Sequence, residues 1–185
     1  STARYELGGS GTSLAALAFG GTNGTAVVSA TEEYNFSTST VTPGAWASGG
    51  ALGTARDKAA GFGLQTAAAV VGGETPSITN ATEEYDGSSW TAGGNYSAPL
   101  VGITAFGIQT AGVGFGGYVP SPGYTNATNE YNGSSWTTVN NYPQSSNSSG
   151  ACGTLAAGLG FGGDDTSASP RNTTTTAEYD GTNWT

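Results

Sequence analysis

Residues 81–90 read ATEEYDGSSW, and the phrase returns at 127–136 as ATNEYNGSSW and at 175–184 as TTAEYDGTNW. Residues 30–34 begin a further copy, whose tryptophan follows only at Trp46 after a longer segment. A double glycine precedes every copy, starting at positions 20, 72, 116 and 162, which are 52, 44 and 46 residues apart. Such spacing is typical of repeat architectures. The chain is therefore predicted to contain four copies of one unit.

Five positions recur in every copy: a Gly-Gly pair, a Glu-Tyr pair and one tryptophan. They are Gly20, Gly21, Glu33, Tyr34 and Trp46; Gly72, Gly73, Glu84, Tyr85 and Trp90; Gly116, Gly117, Glu130, Tyr131 and Trp136; and Gly162, Gly163, Glu178, Tyr179 and Trp184. We interpret them as structural, because packing between stacked units must be filled in the same way each time. The interpretation is one domain over residues 1–185, with repeats 1–46, 47–90, 91–136 and 137–185.

Each unit predicts four short strands and no helix, so the fold class is all-β. The first strand is assigned to segments such as 54–56. The second strand is assigned to small-residue runs such as 66–71, and we expect it to be the innermost strand of the blade or the neighbour of the innermost strand. The third strand is residues 81–85 in the second copy, and the fourth begins at the tryptophan. The Asp-Gly or Asn-Gly between them predicts a hairpin whose two central residues both need φ > 0.

A unit with Gly-Gly ending strand two, Tyr-Asp ending strand three and Trp opening strand four resembles the Kelch repeat. The resemblance implies a β-propeller of four-stranded blades, with four blades as the whole propeller or as part of a larger propeller or assembly. The wording of the repeat is also similar to Kelch-like arrays encoded by marine and aquatic bacteriophages and bacteria. That likeness implies a tail fibre or other virion protein.

The composition excludes several classes of function. The chain has no histidine, which removes Ser-His-Asp and Cys-His catalysis and His-ligated metals, including the copper oxidase chemistry of some Kelch proteins. Its net charge is −9 with only four basic residues, so nucleic-acid binding is not expected. No stretch approaches the ~20 apolar residues of a membrane span. We expect no catalytic residue, metal or cofactor, and we expect the single Cys152 to be a small buried hydrophobe.

The acidic pairs Glu32-Glu33 and Glu83-Glu84 invite an acid–base or calcium interpretation. Adjacent strand residues point to opposite faces, so neither pair forms one site. We expect the glutamate of each Glu-Tyr pair to accept N–H bonds from a neighbouring turn, with Arg4 and Arg56 as candidate ionic partners.

Function is sought where the copies differ, which is in the loops after Gly-Gly at 22–30, 74–81, 118–127 and 164–176. Loops on a rigid scaffold commonly carry binding sites. Tyr118 and Tyr124 offer rings for stacking on a sugar, and Asp164 and Asp165 offer carboxylates that accept its hydroxyls. Two carboxylates fall short of a calcium site. The alternative is that these loops vary only because nothing constrains them.

Three classes of function are compatible with the sequence. The first is a non-enzymatic structural and recognition module of a virion or cell-surface appendage, binding a host surface glycan, other structural proteins or copies of itself. The second is an intracellular or secreted protein-binding propeller, and the third is a glycan-acting enzyme. The missing histidine and the scarcity of charged residues disfavour the enzyme. Extracellular or virion-surface localisation goes with the first class.

Overall fold

The computed structural model describes residues 3–35, 45–165 and 171–185 and is all-β over these ranges, without a helix. The long segment between Tyr34 and Trp46, and residues 166–170 of the last loop, fall largely or wholly outside them. No helix long and apolar enough to span a membrane occurs among the described residues.

Four antiparallel sheets follow one another along the chain as the blades of a four-blade β-propeller, which confirms the predicted fold class. Blade 1 contains β1 (Gly8–Gly11), β2 (Ala15–Phe19), β3 (Thr31–Asn35) and β4 (Ala45–Ser48). Blade 2 contains β5 (Ala60–Leu64), β6 (Ala67–Val71), β9 (Thr82–Tyr85) and β10 (Trp90–Ala92). Blade 3 contains β11 (Thr104–Ile108), β12 (Ala111–Phe115), β15 (Thr128–Tyr131) and β16 (Trp136–Val139). Blade 4 contains β17 (Gly150–Thr154), β18 (Ala157–Phe161) and β19 (Thr176–Tyr179), and Trp184 continues it through a bridge to Tyr179.

Two short hairpins complete the list of strands. They are β7 (Glu74–Thr75) with β8 (Ser77–Ile78), and β13 (Tyr118–Val119) with β14 (Gly123–Tyr124). Both lie in loops that follow a Gly-Gly pair.

The innermost strand of each blade is the first one, and it lies against the first strand of the next blade: β1 on β5, β5 on β11, and β11 on β17. The second strands come next, as expected. The assignment of the first strand to residues 54–56 was wrong, because β5 begins only at Ala60. The preceding segment instead buries Arg56, whose guanidinium donates to the carbonyls of Gly72 and Ala81 and pairs with Glu83. An arginine that saturates backbone acceptors in this way fixes the entry to the blade.

The turn between the third and fourth strands has four residues rather than two. Only its glycine has positive φ, at 94° for Gly87, so the expectation that both central residues need φ > 0 was wrong. Asp86 Oδ1 accepts hydrogen bonds from the backbone N–H groups of Ser88 and Ser89, each at 2.8 Å. These bonds, that from Ser89 foremost, lower the pKa of Asp86 to about 2. The Asp or Asn is therefore selected by its side-chain oxygen.

Each Gly-Gly pair allows the chain to leave the second strand through two left-handed residues. In blade 2 the φ angles of Gly72 and Gly73 are 69° and 96°. A Cβ on Gly72 would lie 2.8 Å from the carbonyl oxygen of Leu100, in the segment that enters blade 3. Conformation and close approach thus both demand glycine here.

Blades pack by inserting a phenylalanine of one blade into the next. Phe19, Phe62 and Phe106 contact the tryptophan of the following blade edge-on, with ring centroids 5.2, 5.8 and 6.2 Å apart, respectively, for Trp90, Trp136 and Trp184. Glycines of the following blade provide the space: a Cβ on Gly61, Gly112 or Gly158 would overlap these rings. Each junction is closely packed because the large rings of one blade lie against glycines, which have no side chain, in the next blade.

Polar side chains repeat across the same junctions. The tryptophan indole donates to the threonine that opens the third strand of the preceding blade: Trp90 to Thr31 at 3.0 Å, Trp136 to Thr82 at 2.9 Å and Trp184 to Thr128 at 3.1 Å. The tyrosine hydroxyl donates to the Glu-Tyr glutamate of the preceding blade: Tyr85 to Glu33, Tyr131 to Glu84, and Tyr179 to Glu130 at 2.6 Å.

These contacts correct the expected role of the glutamates. The Glu-Tyr glutamate accepts from a phenol of the next blade. The residue before it performs the role that had been expected: Glu83 accepts from the backbone N–H of Gly53 at 2.6 Å and pairs with Arg56, and Glu32 pairs with Arg4 at 3.4 Å. Both arginines were therefore correct as ionic partners, but of the other carboxylate in each pair.

Candidate functional site

The variable loops after Gly-Gly extend from one end of the propeller. Each is joined by a backbone bridge to the segment that enters the innermost strand of its blade: Tyr5 to Thr22, Asp57 to Glu74, Val101 to Tyr118, and Asn147 to Asp164. The Asp-Gly and Asn-Gly turns lie at the other end of the blades, since the third strands run away from the Gly-Gly pairs. We call the end with the variable loops the loop face.

A pocket opens at the centre of the loop face. Its volume is about 390 Å³, and every blade contributes to its lining, through Glu6 and Leu7, Lys58 and Ala59, Gly102 and Ile103, and Ser148 with Asn147. The residue that enters each innermost strand is left-handed, with φ of 55°, 50°, 62° and 55° for Glu6, Lys58, Gly102 and Ser148. Three of these are not glycine, and such strain in a non-glycine residue is common at functional sites.

Backbone hydrogen bonds connect these entry residues around the pocket. Ser148 N–H donates to the carbonyl of Gly102 at 2.8 Å, and Gly102 N–H donates to that of Lys58 at 3.0 Å. Lys58 Nζ lies 3.0 Å from Glu74 Oε2, and this hydrogen bond raises the pKa of Lys58 above its ordinary value. The pocket therefore presents a cation, the carboxylate of Glu6 and the amide of Asn147 within a preformed wall.

The hairpin β13–β14 carries the two tyrosines chosen from the sequence. Tyr118 and Tyr124 are paired across the hairpin, with ring centroids 5.8 Å apart and planes at 89°. Both side chains are half-buried. The backbone of Tyr118 is also bridged to Val101, which lines the pocket, so the hairpin begins next to the pocket wall.

Tyr124 belongs to a three-residue polar cluster that spans blades 3 and 4. Its hydroxyl donates to Asp164 Oδ2 at 2.8 Å and accepts from Arg171 at 2.9 Å. Arg171 also pairs with Asp164 at 3.1 Å, and its guanidinium carbon lies 6.0 Å from the centre of the Tyr124 ring. The hydrogen bond to Asp164 raises the pKa of Tyr124. These contacts hold the ring, the carboxylate and the cation in one arrangement.

Asp165 does not face the same way as its neighbour. It is 1% exposed, and its carboxylate accepts a hydrogen bond from Gln144. Asp165 therefore stabilises the base of the loop, while Tyr118, Tyr124 and Asp164 remain on the loop face. A carboxylate buried in this way is not presented to a ligand in solution.

Sequence reasoning missed Arg171 and the pocket residues Lys58 and Asn147. Arg171 is one of only four cations in the chain, which is a signal that could have selected it. The pocket carries no comparable signal, because four segments far apart in the chain converge to form it. Over the described ranges no three Cys, Asp or Glu side chains cluster as a metal site.

Known proteins resemble this chain in fold but not in sequence. No protein-family profile matches it, and no curated protein matches it. Among solved structures it is similar to YjhT, with a TM-score of 0.76, 12% identity, and coverage of 98% of this chain and 64% of the YjhT chain. At that identity the likeness shows the propeller-like fold alone, and this chain spans about two-thirds of the length of YjhT.

Proposed function

We propose that this protein is a non-enzymatic recognition module of a virion or cell-surface appendage, of the tail fibre kind, which binds through its loop face. The proposed ligand is a surface glycan, with another structural protein as the second class of target. The observation that carries the proposal is the cluster of Tyr124, Asp164 and Arg171 on the loop face, with the ring of Tyr118 packed against that of Tyr124.

The chemistry of this cluster suits a sugar. A pyranose offers an apolar face to an aromatic ring and hydroxyls that both donate and accept, and recognition sites combine apolar surface with a few placed polar groups. Here a carboxylate accepts, a guanidinium donates, and mutual contacts hold both in place. Such preorganisation lowers the entropy cost of binding.

The repeats also separate the two kinds of surface. The turns at the opposite end are nearly identical in three copies and are used to satisfy their own backbone. The loop-face segments differ in length and chemistry although the bridges that anchor them are the same. Loops that vary on a common anchor are typical of surfaces that select a ligand.

A glycan array tests the proposal with the protein and two double variants. Tyr118→Ala with Tyr124→Ala removes the two rings. Asp164→Ala with Arg171→Ala removes the charged pair without changing the net charge of the protein. Each is expected to weaken binding at least about tenfold, which corresponds to ~1.4 kcal/mol.

The matched control is Ser134→Ala with Ser135→Ala, in the turn at the opposite end, which should leave binding unchanged. Undiminished binding by folded loop-face variants would refute the assignment of the site. An array on which the unaltered protein binds no glycan would refute the ligand class.

A further inference from the structure

No described residue covers the outer faces of the first and fourth blades, although these faces carry the residues that fill every internal junction. Phe161 is 42% exposed, whereas its counterpart Phe115 in blade 3 is fully buried. Trp46 is 49% exposed, whereas the other three tryptophans are half-buried against a phenylalanine. Cys152, expected to be buried, is exposed on the same face as Phe161. Each end of the array therefore has one half of a junction.

The outer face of blade 4, here called the tail, is the accepting half. Thr176 and Glu178 occupy the positions at which Thr128 and Glu130 accept from Trp184 and Tyr179. Both are exposed, and over the described residues no side-chain hydrogen bond partners either of them. A depression of about 470 Å³ lies beside Glu178, which lines it together with Cys152 and Leu159.

The outer face of blade 1, here called the head, is the donating half. Tyr34 and Trp46 are paired across β3 and β4, with ring centroids 5.5 Å apart. This is the arrangement of Tyr131 with Trp136, whose centroids lie 4.8 Å apart and whose polar atoms donate to blade 2. Nothing among the described residues accepts from the Tyr34 hydroxyl or the Trp46 indole.

The sizes of the side chains at the two ends also match. Where the first strand has Phe62 or Phe106, the next blade has Gly112 or Gly158. Blade 1 has Ser10 at the position of these phenylalanines, and blade 2 has Ala68 at the position of these glycines. The tail has Cys152 there, and the head has Ala16, which is again a small residue with alanine.

The second contact follows the same rule. Phe19 of blade 1 packs on Gly61 of blade 2. At the corresponding register positions the tail offers Phe161 and the head offers Gly9. The head thus has the hydrogen-bond donors and the small residues that would complement the acceptors and the exposed phenylalanine of the tail.

We propose that the tail of one copy binds the head of a second copy, head to tail, through the same contacts that join blades within the chain. Tyr34 and Trp46 of one copy donate to Glu178 and Thr176 of the other, and Phe161 packs on Gly9. The contact is heterologous, so its repetition builds a ring if the rotation closes and a filament if it does not. Such an assembly would present several loop faces together, and multivalent presentation increases avidity.

Analytical ultracentrifugation of the whole chain tests this with one variant for each end. Trp46→Ala blocks the head, and Glu178→Lys blocks the tail. Both residues are exposed, so both variants should fold. Each copy carries a charge of −9, and the measurement is therefore made at or above ~0.15 M salt, where repulsion between copies is screened.

The unaltered protein should gain mass with concentration, and each variant alone should stay monomeric. A mixture of the two variants should form 1:1 dimers and nothing larger, because the intact tail of one variant binds the intact head of the other and the two ends that remain are both blocked. Glu74→Lys, with the same change of charge on the loop face, should associate like the unaltered protein.

Three results would overturn the proposal. The first is an unaltered protein that stays monomeric up to about 100 µM, since any such contact would then be weaker than a useful affinity. The second is association that survives Glu178→Lys. The third is a mixture of variants that stays monomeric.

Discussion

The junction between blades 2 and 3 and the outer face of blade 1 use the same residues with different results. At the junction, Trp136 packs against Phe62, Tyr96 and Tyr131 and donates to Thr82. On blade 1, Trp46 contacts Tyr34 of its own blade and is half exposed. We therefore expect a repeat residue to contribute more to stability where a neighbouring blade packs against it. This is the behaviour of repeat proteins in which each unit contacts only its neighbours.

Truncating the tryptophans gives the largest expected difference between these regions. Trp136→Ala should lower the free energy of unfolding by roughly 3–5 kcal/mol, because it removes a ring from three aromatic contacts. Trp46→Ala should cost less than about 1 kcal/mol, because among the described residues that half-exposed ring has one such contact. The measurement is denaturant unfolding at a concentration at which the protein is monomeric. Equal losses for the two variants would contradict the comparison.

Filling the glycines gives a smaller difference. Gly61→Ala places a methyl group against the Phe19 ring, which is 1% exposed, and should cost roughly 1–3 kcal/mol by overpacking. Gly9→Ala, at the same register position on the uncovered face, should change stability by less than about 0.5 kcal/mol.

The control for Gly61→Ala is a double variant in which the Phe19 ring is also replaced by a smaller side chain. Phe19→Val in the same chain gives these two register positions the valine and alanine that blades 2 and 3 have there, Val71 and Ala105 of one core cluster, and should recover part of the loss. No recovery, measured by the same unfolding curves, would show that the cost does not arise from contact with Phe19.

Alkaline pH should act on the junctions and not on the ends. Burial, with a hydrogen bond to Glu33, raises the pKa of Tyr85 to about 12, and burial with Glu84 or Glu130 raises the pKa of Tyr131 and Tyr179 as well. An unfolded tyrosine has a pKa of about 10. The stabilisation is therefore complete below roughly pH 10 and is lost as the pH rises through the folded-state pKa.

Unfolding free energies measured from neutral pH to about pH 12 test this, together with phenolate absorbance. Tyr85→Phe should remove part of the alkaline dependence, whereas Tyr34→Phe should leave it unchanged, since no carboxylate of the described residues accepts from the Tyr34 hydroxyl. A slope unaffected by Tyr85→Phe would contradict the role of the hydroxyl.

Much of the fold could be predicted from local pattern. The spacing of Gly-Gly, Glu-Tyr and Trp located the second, third and fourth strands, because hairpins are specified by residues close together in the chain. The first strand was wrongly assigned to residues 54–56. Arg56 lies there because it binds backbone carbonyls in the segment before the strand, and the sequence pattern does not distinguish that role from a strand position. The loop face was foreseen from the variation among copies. Which of its residues meet, and that Asp165 is buried, could not be foreseen, since contacts between blades join residues some 40 positions apart.

Local sequence pattern is enough to specify the repeat, the all-β class, the four-stranded blade and the residues that recur at its junctions. These are properties of a single unit, and a single unit is short enough for turns and alternation to specify it. The tertiary structure decided which copy of each residue is covered, which glutamate meets an arginine and which meets a phenol, and where four distant segments enclose a pocket. Identical repeat residues are equivalent in sequence, and only the presence or absence of the next blade distinguishes Trp136 from Trp46, or Phe115 from Phe161.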